Sequence, residues 1–344
     1  MKLKNLYLGI IASAFLFASC SSDNNDNEEV IPLGDYQNGI LILNEGNYKD
    51  VNASVSFLSN DLATFQNDIF KLVNPSAVLG DVAQSLTFSN EKAFIVLNNS
   101  NEVRIINRYT LKSLGTITEK LENPRFSVVL NDKLYVTNSL SNAVTVYNAK
   151  TYVYLASIPL GKTAEKIIAA NGKLYVTNAA FGSGSEVTII NPANNTVAKT
   201  LTLEDGINSV EENNGSVYVL AGNKTKSKLF KINTTSDVVT SIESTTLKGA
   251  LNMDIDGDKI YYTQGTGVYV MNLTATTFSE KALFSVTDNS WSTFYGFGAI
   301  DGKIYSGDAN AFTKDGTVTV YSSTGTVLKT LTVGFGPNGF YPNN

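Results

Sequence analysis

The chain holds no histidine and a single cysteine, so its chemistry falls to carboxylates, amides and aromatic rings. Without imidazole there is no Ser-His-Asp or Cys-His nucleophile, no histidine zinc site and no imidazole proton shuttle. Without a second cysteine there is no intrachain disulfide and no thiolate metal cluster. Two stretches gather the remaining side chains in patterns suited to recognition. "LILNEGNYKDVNASVSFLS", Leu41 to Ser59, places Asn44, Glu45, Asn47 and Tyr48 in a polar loop between two strand-like runs. "DNSWSTFYGFG", Asp288 to Gly298, carries the only tryptophan, Trp291, with Phe294, Tyr295 and Phe297. Aromatic rings anchor flat ligands because they contribute large contact area at small entropic loss; Phe181 and Phe312, in other loops, are of the same kind. Loop carboxylate pairs are confined to Glu45 with Asp50 and Asp308 with Asp315, with no tight metal cage, so the expected activity is binding rather than catalysis, with no cofactor and no metal. "DIDGDK", Asp254 to Lys259, begins like a calcium loop but lacks the downstream glutamate and is read as a turn.

The elements that must position these residues repeat. "DKLYVTNSLSNAVTVYN" from Asp132 and "GKLYVTNAAFGSGSEVTIIN" from Gly172 share a strand, a small polar loop and a second alternating strand, and weaker copies begin at Glu91, Gly215, Asp258 and Gly302. The aromatic anchors Phe94, Tyr135, Tyr175, Tyr218, Tyr261 and Tyr305 are spaced by 41, 40, 43, 43 and 44 residues. An all-strand repeat of that period is the length of a four-stranded propeller blade. Apolar residues alternate with period two, and turns such as "NGK" and "IDGK" suit tight hairpins that need positive φ. "GILILNEGN" supplies a seventh copy, with a longer outer hairpin around "NDLATFQNDIFKLVNPSAVLG". The expected fold is all-β: a seven-bladed β-propeller. The first copy lacks an innermost strand, and the C-terminal "GFGPNGFYPNN" is a strand without a blade. Asn338 to Tyr341 is therefore expected beside Leu41 to Asn44, closing the ring.

A rigid ring with short, uniform turns on one face and variable loops on the other places a binding site among the variable loops, the top face. Ten residues before each anchor stand Gln84, Arg125, Glu165, Asn208, Leu251 and Tyr295. They are expected where the innermost strands emerge at the channel mouth, with Asn338 as the seventh equivalent and Asn252 replacing Leu251 after a one-residue slip. Channel hydration alone would also account for such a polar ring.

The first residues are set apart from the fold. Lys2 and Lys4 precede an apolar run from Leu6 to Phe17, too short to span a bilayer and of the length of a secretory core. It ends in "FASC", which resembles a bacterial lipobox with Phe17 in place of the usual leucine, so residues 1–19 are expected to be a lipoprotein signal peptide and Cys20 the lipidated residue. Residues 20–38, opening with the acidic "SSDNNDNEEV", read as a flexible tether, and 39–344 as the propeller. Acidic residues directly after the cysteine resemble the export signal of Bacteroidetes surface lipoproteins, which implies a lipid anchor at the outer membrane, exposed at the cell surface. Loss of Lys2 and Lys4 leaves 24 basic against 31 acidic residues, with no clustered basic face, which argues against nucleic-acid binding.

The KLYVTN copies resemble the YVTN family of seven-bladed propellers over roughly residues 39 to 341, a resemblance specific for fold. "LNEGNYKDVNASVS" resembles the N-terminal signature of Bacteroidetes surface lipoproteins of that type, a group that includes the cobalamin-capturing lipoproteins seated on TonB-dependent corrinoid transporters. The resemblance implies a monomeric binding protein that takes cobalamin or another corrinoid on its top face and passes it to an outer-membrane transporter. A protein–protein scaffold and a carbohydrate- or peptide-binding propeller are the alternatives.

Overall fold

A computed structural model describes residues 33–180 and 183–344 of the chain. The signal segment, Cys20, the tether up to Pro32 and Phe181 lie outside the described residues. No helix among those described is long and apolar enough to cross a membrane.

Seven four-stranded antiparallel sheets are present among the described residues. Within each, the four strands run from the channel outward and each pairs with the next. The innermost strands are Pro337–Asn343 in blade one, Ala83–Ser89 in blade two, Pro124–Leu130 in blade three, Ile167–Ala170 in blade four, Ile207–Asn213 in blade five, Leu251–Asp256 in blade six and Gly296–Ile300 in blade seven. The architecture is thus a seven-bladed β-propeller. The second strand of every blade is nearly solid core: Lys133–Asn138, "KLYVTN", is buried from Leu134 onward. Its period-two pattern serves two faces, because each blade is covered by a neighbour on both sides. Tyr135, Val144 and Val146 of blade three accordingly pack with Ile167, Leu174 and Val176 of blade four.

Blade one is closed as the pattern required. The C-terminal strand pairs with Gly39–Asn44, aligning Leu41 with Tyr341 and Ile42 with Phe340, and Phe340 is buried with Ile40, Ile42 and Tyr305. Asn343 adds a buried clasp, its side-chain amide donating to the carbonyls of Tyr36 (2.6 Å) and Arg108 (2.9 Å). The uniform face uses the expected hairpins: φ is positive at both central residues in Asn171–Gly172, Asn214–Gly215 and Asp301–Gly302, the backbone of a type I′ turn. The lysine that opens the second strand ties adjacent blades on that face. Lys92 and Lys133 reach the carbonyls of Ala149 and Pro192 at 3.3 Å, and Lys173 reaches Asp237 at 2.8 Å.

One local expectation is corrected. The outer part of blade one is not a long hairpin but a two-residue strand, Phe65–Gln66, followed by a short helix, Ile69–Val73. Ile69 and Phe70 on that helix are fully buried against Leu41, Leu43 and Val55, so the helix plugs the core in place of a full fourth strand.

Candidate functional site

The innermost strands converge on a cavity of about 650 Å3. Eight of the expected recognition residues meet around it: Glu45, Gln84, Arg125, Glu165, Asn208, Asn252, Tyr295 and Asn338. The local reason is a repeated backbone irregularity. The strand register shifts between Ala83 and Ser85, Pro124 and Ser127, Ile207 and Ser209, and Leu251 and Asp254, and again where Asn338 is skipped opposite Leu43 and Asn44. A bulge adds an unpaired residue and re-aims its side chain. Gln84, Arg125, Asn208, Asn252 and Asn338 are those residues. In blade six the slip falls as expected, with Asn252 at φ 54 lining the cavity and Leu251 44 % exposed outside it.

Hydrogen bonds run around this mouth from blade to blade. Asn338 donates to the carbonyl of Ala83 (2.8 Å), Asn208 to that of Ala250 (3.0 Å) and Asn252 to that of Phe294 (2.9 Å). Arg125 engages Glu165 through two nitrogens, at 2.6 and 3.0 Å, and also bonds the side chain of Gln84. Both members of the pair are largely withdrawn from water, where breaking one partner costs more than the pair itself contributes. Glu45 accepts from the Tyr295 hydroxyl at 2.5 Å and from Asn338 at 3.4 Å. Burial raises the Glu45 carboxyl above the usual range, partly offset by Tyr295 and Arg125. The Tyr295 phenol is raised too, first by burial and then by the Glu45 charge, so it stays a donor.

Beside Tyr295 the mouth carries an aromatic wall. Trp291 is 70 % exposed, stacks on Phe312 (6.3 Å between ring centres, 16° between planes) and meets Tyr295 edge-on at 6.2 Å. Trp291 therefore does not wedge between blades; Phe294 joins the core between blades six and seven. Phe312 rests on the backbone of Gly336, where an added Cβ would lie 2.5 Å from its ring. Its loop holds Asn310, Ala311 and Phe312 all at positive φ, a costly run without glycine. Ser292, which accepts the N–H of Ala311, and Asn310, which donates to the carbonyl of Asp315, fix it.

The other candidates are placed elsewhere. Asn44 is removed from the rim: it is fully buried, donating to Ser54 (3.1 Å) and Ser56 (2.9 Å) inside blade one. Its strand continues one residue further than the loop reading assumed. The backbone N–H of Asn47 donates to Asn52 at 2.7 Å, closing its own loop. Tyr48 is 65 % exposed beneath the Lys49 ammonium, away from the cavity lining. Asp308 is taken up by Ser292 and Asn310.

Two acids were missed. Directly opposite the six anchors, across the innermost ladder, stand Thr87, Val128, Ile168, Glu211, Asp254 and Gly298, and Tyr341 stands opposite Leu41 in blade one. They form a second ring below the mouth. Glu211 and Asp254 line the same cavity. Burial lifts Glu211 to about 8 and Asp254 to about 6, each opposed by the charge of Lys166. The "DIDGDK" turn begins only at the end of the strand Leu251–Asp256, so Asp254 belongs to the strand; its position seven residues before the anchor Tyr261, shared by Glu211 before Tyr218, is the signal in the sequence. No group of three or more carboxylate, cysteine or histidine ligands able to hold a metal is present among the described residues.

A family model described as a domain of unknown function, DUF5074, matches residues 38–299. No curated protein matches by sequence. Among solved structures the chain is similar to a quinonprotein alcohol dehydrogenase-like protein from Bacteroides thetaiotaomicron, with a TM-score of 0.70 at 15 % identity over 90 % of this chain and 79 % of that one. It is also similar to BamB from Moraxella catarrhalis (0.56, 13 %, 89 % and 86 %) and to apo AztD from Citrobacter koseri (0.56, 12 %, 88 % and 96 %). At these identities the likeness is one of fold.

Proposed function

This chain belongs to the DUF5074 family, a domain of unknown function, and on that footing we propose that it is a lipid-anchored binding protein of the outer membrane surface. It captures a ligand on the top face and hands it to an outer-membrane transporter, without catalysis. The observation that supports this reading is the polar mouth, rich in amide and carboxylate groups, set against the exposed wall of Trp291, Phe312 and Tyr295. Apolar area with a few convergent polar groups is the composition of a ligand site, and about 650 Å3 is within the usual range of about 300–1,000 Å3.

The ligand proposed is cobalamin or another corrinoid, on the strength of the "LNEGNYKDVNASVS" resemblance. A corrin macrocycle bearing many amides would lie across the mouth, its side-chain amides meeting Gln84, Asn208 and Asn252 and its flat face against Trp291. Calorimetry of a soluble chain starting at residue 31 with cyanocobalamin tests this. Binding in the micromolar range or tighter is expected, with quenching of Trp291, the only tryptophan. Trp291→Ala is expected to weaken binding about tenfold or more. No heat and no quenching would reject the corrinoid. The scaffold reading is favoured by the exposure of both Trp291 and Tyr48, ring types common at protein interfaces. Copurification with a β-barrel transporter in the absence of any ligand would favour it.

A further inference from the structure

The aromatic wall is carried by a backbone unlike that of the other blades. The connection between the second and third strands of blade seven holds Asn310, Ala311 and Phe312 at φ 48, 51 and 58. Blades two, three and six make the same connection with one positive φ each, at Asn101, Asn142 and Gly265. Glycine and asparagine tolerate that region, whereas alanine and phenylalanine enter it at a steric cost, because Cβ crowds the carbonyl that follows. Closing a blade therefore does not require the run. Strain of this kind persists where the surroundings over-determine it, and it gathers at functional sites.

What the run fixes is the place of one ring. Ser292, 1 % exposed, directly follows Trp291 and locks the two loops together. Its Oγ donates to Asp308 at 3.0 Å and accepts the N–H of Ala311 at 3.1 Å, and its carbonyl accepts the N–H of Ala309 at 3.1 Å. Asp308 also accepts the N–H of Asn310 at 2.7 Å. The Phe312 ring is thereby set against both Trp291 and the backbone of Gly336, whose carbonyl accepts the N–H of Glu45 at 2.8 Å. Tyr295 meets Phe312 edge-on at 5.1 Å and is itself tied to Glu45. An indole as exposed as Trp291 would otherwise sample several rotamers, and a ligand would have to order it on arrival.

We propose that Phe312 is the positioning residue of the top-face site. Its ring holds the Trp291 indole in one orientation at the mouth before any ligand binds, and the strained loop exists to hold Phe312. The ligand rests on Trp291, and Phe312 acts through it. This inference rests on the reading of Trp291 as the ligand-bearing ring.

The test uses Trp291, the only tryptophan, as its own probe in the full chain. Fluorescence anisotropy is read without ligand, with excitation at the red edge of the indole band so that the tyrosines do not contribute. Phe312→Leu keeps apolar bulk without a flat ring and is expected to lower the anisotropy while the melting transition is retained. Ala311→Gly relieves the strained φ and deletes only an exposed methyl group. It is expected to melt no lower and yet to lower the anisotropy, which a merely structural role would not produce. Affinity for cyanocobalamin is expected to fall about three- to tenfold in Phe312→Leu, with no further fall when Phe312→Leu is added to Trp291→Ala. Should Phe312→Leu not fold, Ala311→Gly decides by the same anisotropy. A chain that binds no cyanocobalamin would end the corrinoid reading and leave the anisotropy to decide the role of Phe312. Unchanged anisotropy in the folded variants, or equal weakening of binding with and without Trp291, would overturn the proposal.

Discussion

At the residue scale, the most consequential side chains are those whose environment disagrees with their chemistry. Burial and the neighbouring Asp254 charge raise the Glu211 carboxyl, to about 8 in the folded chain against about 4.3 in an unfolded one. Between those values the folded state binds the extra proton, so stability falls as pH rises through this window and the loss is complete above about 8. Glu211→Gln is therefore expected to match the native chain near pH 4 and to be more stable near pH 9, by on the order of 1–3 kcal/mol; thermal melts at the two pH values check it. Tyr135 and Tyr175 present the same tension in neutral form. Both anchors are fully buried, and neither hydroxyl has a hydrogen-bond partner. Tyr135→Phe removes an unsatisfied polar atom without leaving a cavity, and is expected to be neutral or stabilising by up to about 1 kcal/mol in a denaturant melt. That the "Y" of "KLYVTN" recurs at both positions was plain from the sequence; that its hydroxyl would be stranded between blades was not.

At the element scale, the bulge at the top of the innermost strand is the device that builds the mouth. It converts a strand that would alternate its side chains between two neighbouring blades into one that sends an extra residue down the axis. Counting ten residues back from each anchor found these positions because the bulge recurs at the same distance in most blades. The count misplaced blade six by one residue, because its shift begins after Leu251, one residue nearer the anchor than the shifts after Ala83, Pro124 and Ile207. The closing strand is the other decisive element. Without Pro337–Asn343, blade one would present a bare edge and expose Ile40, Ile42 and Tyr305 where Phe340 now covers them. Losing one buried phenylalanine costs about 3–5 kcal/mol, and here a whole ladder is lost with it. A chain ending at Gly334 is expected to melt at least about 10 °C lower; an unchanged midpoint would contradict the ring closure.

At the scale of the whole molecule, closure makes the ring a single cooperative object, unlike an open array whose ends can fray. Its two described ends lie together: Asn343 donates to the carbonyl of Tyr36, and the backbone N–H of Asn38 donates to the carbonyl of Asn343. Joining Asn344 to Leu33 through a short flexible linker and opening the chain at the exposed Asn171–Gly172 turn is therefore expected to give a folded propeller, since no buried hydrogen bond is cut. Circular dichroism and a single melting transition check the permutant. The same closure sets the asymmetry of the channel. The acids of the second ring come from blades five and six, while blades two to four contribute Thr87, Val128 and Ile168 at that level.

The sequence by itself determined the fold, because every blade restates the same local rules: period-two burial, I′ turns of Asn-Gly and Asp-Gly, and an aromatic anchor every 40 to 44 residues. It also determined ring closure, since one unpaired strand at the C-terminus matched one missing strand in the first copy. Only the tertiary structure decided which polar side chains share a space. Glu45 and Tyr295 touch across 250 residues, and Glu211 meets Asp254 only because adjacent innermost strands are brought level around one axis. Such encounters depend on where each strand's register slips and on which neighbour leaves room. Asn44 lost its place at the rim and Asp254 gained one in the channel because a strand ended one residue later, or a turn began two residues later, than the linear pattern indicated.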